Sequence, residues 1–383
     1  MGEALIRKRK PVKSPPKIYG IKIDTTNSNP ETALAYTDNA IGFTPAQGNN
    51  GNFSYGSWQD KFPFNQIKPC LLKNGVVQYY LNPNDYTKKI DGTNADITSG
   101  ADGDVMIEFP KIWWKFETIG TDLYVRYANA KVDSGYKCLA HMRGTTEKAK
   151  CYISAYLGYS DGSKLRSLSG KITTAYKTIG AFRTIAQANG SGYDQMAYFQ
   201  LLMLQVLGTV MFKSRDWQTA LGRGYVDGNS AKVNTGATNA KGMFYGETTG
   251  KQQLKFCGIE DFWGNIYYWI DGLFSDADRN ILIGNESFND IGSGYTNYGQ
   301  GATTNIVGYI DDIQGGTETG FIVKTANGSE STHYPDSAVL NVSRLPRFGG
   351  DWSAADKAGA FRLHVGYSES EKYSVIGARL VYF

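Results

Sequence analysis

The chain has 383 residues, enough for one large domain or two ordinary ones, and its 40 Lys and Arg against 36 Asp and Glu leave a formal charge of +4. Residues 1–17 alone carry +5, so the other 366 sum to −1, which excludes a body that grips nucleic acid through a cationic face. Forty-five glycines, 26 tyrosines and only 20% charged residues predict many turns, short strands and large aromatic loops.

Four cysteines, Cys70, Cys138, Cys151 and Cys257, lie far apart with no CxxC pair. That spacing fits neither a disulfide-dense scaffold nor a zinc site, and no metal or other cofactor is expected. The basic N-terminus lacks the apolar stretch of a signal peptide. The longest apolar run, 196–212, is broken by Gln200 and Gln205 and is too short to span a bilayer, so no membrane insertion is expected. Synthesis and folding in a reducing cytosol are the default expectation.

In chain order, residues 1–16 read as a basic, Pro-rich flexible arm, either a solvated tail or an element that docks onto a larger assembly. From Lys17 the pattern becomes β-like, with 18–24 partly alternating and Asn27-Ser28-Asn29-Pro30 following as a turn. Further strands are expected at 76–81, 105–117, 123–128 and 152–157. Pro110 makes the most apolar of these an edge strand or two strands. The polar Gly/Asp segment 91–104 is the expected boundary between a small β domain at 17–104 and a larger one at 105–383.

Helical periodicity is concentrated at 173–189 and 195–213. Asp194 is positioned to cap the second helix, whose nearly all-round apolar surface predicts a buried core helix. Residues 217–350 read as long ordered loops. At the end, 360–366 and 374–383 regain β character; Phe361, Leu363 and Val365 share one face, and Arg362, His364 and Gly366 the other. The fold class expected is α+β, with a few core helices, short strands and long loops.

No catalytic constellation stands out. Gly158-Tyr159-Ser160-Asp161-Gly162 matches G-x-S-x-G, but the residues after Gly162 make a poor helix start, so a turn is expected. The three histidines, His141, His333 and His364, stand in unrelated contexts. His364 is either part of a binding surface or simply exposed to solvent. Asp276-Ala277-Asp278-Arg279-Asn280 begins like a calcium loop, yet Ile281 stands where Gly is needed and Ser287 where the bidentate Glu belongs. What remains is Tyr, Ser, Gly and Asn in loops on a β scaffold, the chemistry of adaptable recognition surfaces.

Two segments carry a resemblance. Gly258-Ile-Glu-Asp-Phe-Trp-Gly-Asn-Ile-Tyr-Tyr-Trp269 is similar to the G-L-x-D-x-x-G-N-V-W-E-W signature of the formylglycine-generating-enzyme type of C-type lectin fold, with Gly264, Asn265 and Trp269 matching and Tyr267-Tyr268 replacing Trp-Glu. The closing stretch, with Gly349, Gly350 and Trp352, then Arg362, then Arg379, resembles the same fold's G-G-S-W … R … G-F-R. The resemblance spans about 105–383. Within this fold the chain resembles phage receptor-binding proteins of the major tropism determinant kind, targets of diversity-generating retroelements. The first strand-rich part also resembles tail-fibre or baseplate proteins.

The resemblance implies a tail-tip or baseplate adhesin that recognises a glycan or protein receptor on the host surface. It implies a virion location and a homo-oligomer, with a trimer as the order and other tail proteins bound through the N-terminal region. Gly264, Asn265, Trp269, Gly349, Gly350, Trp352, Arg362 and Arg379 would be scaffold. Asp351, Ser353, Asp356, Lys357, His364, Tyr367, Glu369, Lys372 and Tyr373 would line the receptor face, flanked by Arg344 and Arg347. The enzymatic branch of the fold uses a cysteine pair near its C-terminus. Here the last cysteine is Cys257, 126 residues from the end, so an enzyme of that type is not expected. A polysaccharide-degrading enzyme and a purely structural virion protein are the other readings.

Overall fold

The computed structural model describes residues 15–228 and 230–383. Of the basic arm, only Pro15 and Pro16 fall among the described residues, and both are exposed. The molecule is mostly β, built from many small sheets. Among the described residues only three α-helices occur, Ile179–Gln187, Tyr198–Phe212 and the single turn Trp217–Ala220, so the expected α+β balance is tilted towards strands.

Three sheets form the frame of the molecule. A four-stranded antiparallel sheet has the order Leu34–Asp38, Ile18–Asp24, Asp122–Ala128, Trp113–Ile119. A seven-stranded sheet has the order Tyr193–Gln195, Leu380–Tyr382, Lys150–Ser154, Asp104–Pro110, Lys68–Lys73, Val76–Asn82, Asp85–Lys89. A six-stranded sheet has the order Ile306–Ile310, Tyr334–Leu340, Leu363–Tyr367, Leu345–Phe348, Tyr267–Trp269, Ile376–Gly377, with two parallel pairings among antiparallel ones. The first two sheets draw strands from both sides of the expected 104/105 boundary. Residues 17–104 therefore complete their sheets with 104–128 and with the last strand of the chain.

Local chemistry accounts for these elements. The apolar run expected at 105–117 divides at Pro110, which cannot donate to a ladder. Its first half, Asp104–Pro110, is central in its sheet and is paired on both sides, so the edge position is not adopted. The helix Tyr198–Phe212 is buried along its whole length, as its all-round apolar character requires. The amide nitrogens of its two glutamines are paired inside: Gln200 Nε2 donates to Ala140 O at 3.0 Å and Gln205 Nε2 to Ala360 O at 2.7 Å, while Gln205 Oε1 is buried without a partner. Asp194 does not cap this helix. It lies in the strand Tyr193–Gln195, which pairs with Leu380–Tyr382, and the Gln200 side chain instead accepts from Ala197 N at 3.2 Å.

Residues 217–350 hold more strand than expected. The strand Tyr334–Leu340 escaped the pattern because Pro335, Asp336 and Ser337 interrupt it, yet all seven residues are buried. Asp336 is compensated by Phe361 N, which donates to its carboxylate at 2.7 Å. Among the described residues no helix is long and apolar enough to cross a membrane.

Candidate functional site

The six-stranded sheet places the C-terminal candidates. Side chains alternate across a strand, and the register aligns Trp269 with Arg347 and Arg347 with His364 across three neighbouring strands. The opposite row, Tyr268, Phe348 and Leu363, faces the main core, where Tyr268 and Phe348 rings meet edge-on at 5.4 Å. The outer row carries a stack of rings and cations. The Arg347 guanidinium lies between Tyr267 and Tyr367, 3.6 and 4.3 Å from their ring centroids. Tyr367 in turn contacts Trp269 at 5.8 Å, His364 at 4.9 Å and Tyr373 at 5.5 Å.

This stack alters the parts expected of its members. Arg347 is 8% exposed, so it is a filler between two rings and not a flank of an open face. His364 is half-buried. Its Nδ1 lies 3.4 Å from Arg347 Nη2; an arginine can only donate, so Nδ1 accepts and the imidazole is neutral. Burial, together with Arg347 and Arg362, pulls its pKa down to about 3.

The residues matched to the fold signature make the following turns and contacts. Gly264 and Asn265 have φ of 84° and 64°, a turn that aims the Asn265 side chain at the 233 segment. Val233 N donates to its Oδ1 at 2.9 Å, its Nδ2 donates to Asp261 Oδ2 at 2.8 Å, and Trp352 N donates to its backbone carbonyl at 3.1 Å. Trp269 Nε1 donates to Lys177 O at 3.1 Å. Gly349 and Gly350 have φ of 105° and 107°, and a Cβ on Gly350 would sit 2.7 Å from that of Ala358. Arg362 donates to Tyr267 Oη at 2.6 Å and to Lys357 O at 3.0 Å, tying the 351–359 loop to the sheet. Arg379 is fully buried and donates to the carbonyls of Glu260 and Asp261. Trp263 and Trp269 are fully buried, in two different clusters, while Trp352 is only half-buried against the first.

The expected face is divided. His364, Tyr367 and Tyr373 are brought together, with Lys372 and Glu369 exposed on the same loop. Asp351 and Ser353 close their own turn, Ser353 N and Oγ donating to Asp351 Oδ1 at 2.9 and 2.8 Å. Asp356 accepts from Tyr309 Oη and lines a separate open groove of about 520 Å3 with Gln218, Arg223 and Glu330. Exposed Lys357 lies beside it in the chain. Arg344 bridges by its backbone to Ser275 of another sheet. A groove of about 760 Å3, floored by Arg143 with Tyr193, Tyr382 and Phe383, contains none of the expected residues.

Three residues of this region are not among the expected site residues. Tyr267 supplies half of the arginine sandwich. Glu371 accepts from Tyr373 Oη at 3.0 Å and from Ser368 N, fixing the 368–373 loop. Tyr176 is 61% exposed beside that loop, and its N–H donates to Tyr373 O at 3.0 Å. Only spatial proximity reveals Tyr176, since its sequence neighbours are unremarkable.

The other motifs resolve as turns. Gly158–Gly162 forms a short hairpin, with Tyr159–Ser160 pairing Leu165–Arg166. Asp276 accepts from Asp278 N, Asn280 N and Asn280 Nδ2 at 2.8–2.9 Å within the turn joining Leu273–Ser275 to Asn280–Ile283. Among the described residues no group of three or more His, Cys, Asp or Glu is arranged to hold a metal ion.

No protein-family model matches the chain, and no curated protein matches it. Among solved structures it is similar to the Major Tropism Determinant P3c variant, at 12% identity over 97% of this chain and 73% of that one, with a TM-score of 0.29. The M1 and U1 variants give the same coverage at 12% and 13% identity, with TM-scores of 0.28 and 0.27. Backbones at these scores do not superpose as one fold, so the functional reading rests on the residues of this chain.

Proposed function

We propose that the chain is a non-enzymatic receptor-binding protein of a phage particle, a C-type-lectin-like adhesin at the tail tip or baseplate. Its receptor face is the outer face of the six-stranded sheet at Arg347 and Tyr367 together with the 368–373 loop, and the N-terminal region joins it to other tail proteins in a homotrimer. The observation that carries the reading is the Tyr267–Arg347–Tyr367 sandwich. It is a packed support, with Tyr267 and Arg347 buried and Tyr367 half-buried, that meets the polar and aromatic loop at 368–373 through the Tyr367–Tyr373 ring contact. A recognition surface needs preorganised supports and exposed, low-entropy contact side chains, and this face has both.

The thiols favour binding over the chemistry of the enzymatic branch. All four cysteines are buried. Burial pushes the Cys138 thiol up to about 12 and raises Cys70, Cys151 and Cys257 further from the thiolate form that such chemistry requires.

Because His364 and Tyr367 are packed, the discriminating variant replaces the exposed positions: Glu369→Ala, Lys372→Ala and Tyr373→Ala together. We expect this triple variant to retain its thermal unfolding midpoint within a few degrees and to lose at least tenfold in adsorption to susceptible cells. Equal adsorption by the folded variant would reject this face. If adsorption is unchanged and particle imaging shows 368–373 buried against a neighbour, the structural-protein reading replaces it.

A further inference from the structure

Tyr176 is conformationally out of place. It has φ of +64°, in the left-handed region that a bulky L-residue adopts only at a cost. Strain of this kind persists where the surroundings impose it, and it concentrates at binding sites. Here the imposing contacts can be named. Tyr176 N donates to Tyr373 O at 3.0 Å, and the next residue's carbonyl accepts from the Trp269 indole at 3.1 Å. The result is a tyrosine 61% exposed, bonded through its backbone to Tyr373, itself 42% exposed.

The surroundings are cationic. Lys372 Nζ stands 5.1 Å from the Tyr176 ring centroid, and Lys171 Nζ stands 5.6 Å from that of Tyr159. Lys232 Nζ donates to Thr173 O at 2.7 Å, and Lys177 follows Tyr176 directly. Glu371, held by Ser368 N and Tyr373 Oη, and the exposed Glu369 offset part of this charge, and the four lysines outnumber these two carboxylates.

We propose that the 171–177 segment is part of the receptor face, and that Tyr176 and Tyr373 form a stacking platform, edged by lysines, for an anionic glycan. Flat exposed rings stack on the apolar faces of sugar rings. Lysine ammonium groups, as compact mobile charges, suit phosphate or carboxylate substituents spaced along a polymer. This inference rests on the receptor-binding reading and specifies its ligand class.

The test uses the full chain and three purified probes: phosphorylated dextran, polygalacturonate and neutral dextran. Wild type should bind one or both anionic polymers, more weakly as salt rises, and bind dextran at least tenfold more weakly. Which anionic polymer is bound distinguishes phosphate from carboxylate. Tyr176→Gly accepts the left-handed backbone without strain. It should lose at least tenfold in affinity while unfolding at the same temperature or higher. Tyr176→Phe should bind within twofold of wild type, and Lys372→Gln should bind more weakly with a shallower salt dependence. Undiminished binding by Tyr176→Gly, equal binding to dextran, or no binding to any of the three would overturn the inference. If the protein still adsorbs to cells through 368–373 in those cases, the adhesin reading survives and only the glycan platform fails.

Discussion

At the scale of single residues, His364 shows how packing changes a side chain's task. Alternation along its strand places it outward with Arg362 and Gly366, and the structure agrees on the face. It then covers that face with Tyr367 and sets Arg347 beside the ring, which disfavours a second positive charge. The consequence for stability has a definite sign. The folded-state pKa, about 3, lies below the usual 6.5, so on acidification the unfolded chain takes up this proton first. The contribution is lost as pH falls from about 6.5 to 3 and is absent as a slope above 6.5, at up to about 1.4 kcal/mol per pH unit. His364→Gln keeps an acceptor for Arg347 and has no proton to take up. Its denaturation midpoint should therefore fall less than that of wild type between pH 6.5 and 4. The difference between the two proteins is the quantity to read, because burial also lowers His141 to about 4 and raises Asp271 to about 6, with opposite effects.

At the scale of elements, the helix Tyr198–Phe212 was legible because its composition permits only burial, and its ends moved by a few residues. Its surroundings were not legible. Gly208 faces Trp217, and a Cβ there would come within 1.9 Å of the indole Cη2. Gly208→Ala should therefore destabilise the protein by about 2–3 kcal/mol through overpacking, despite the gain of about 1 kcal/mol in helix propensity. Chemical denaturation measures this, and Trp217→Phe combined with it should recover part of the loss by shortening the ring. The strand Tyr334–Leu340 is the opposite case. Pro335 and Asp336 hide it from any periodicity, and it is held by distant pairing on both sides, with Phe361 N meeting the buried carboxylate. The same holds for the strand Tyr193–Gln195, whose partner lies almost two hundred residues away.

At the scale of the whole molecule, the sheets join the ends of the chain. Leu380–Tyr382 lies between Lys150–Ser154 and Tyr193–Gln195, and Ile18–Asp24 pairs with Asp122–Ala128. A fragment of residues 15–104 lacks the partners of both its main sheets and exposes their edges. We expect it to remain unfolded or aggregate by circular dichroism and light scattering, while the full chain melts in one transition. A fragment with a cooperative melt of its own would restore the 104/105 division.

By itself the sequence determined the β-rich character, the buried helix and the turn status of the catalytic-looking motifs. Each of these follows from local chemistry: periodicity, backbone freedom, or the hydrogen-bonding capacity of a side chain. The tertiary structure alone decided that Arg347 is buried between two tyrosines, that Asp356 belongs to a different groove from Tyr373, and that Tyr176 joins the C-terminal loop. Those outcomes depend on which distant strands pair and in what register, and pairing over such separations leaves no trace in the residues on either side.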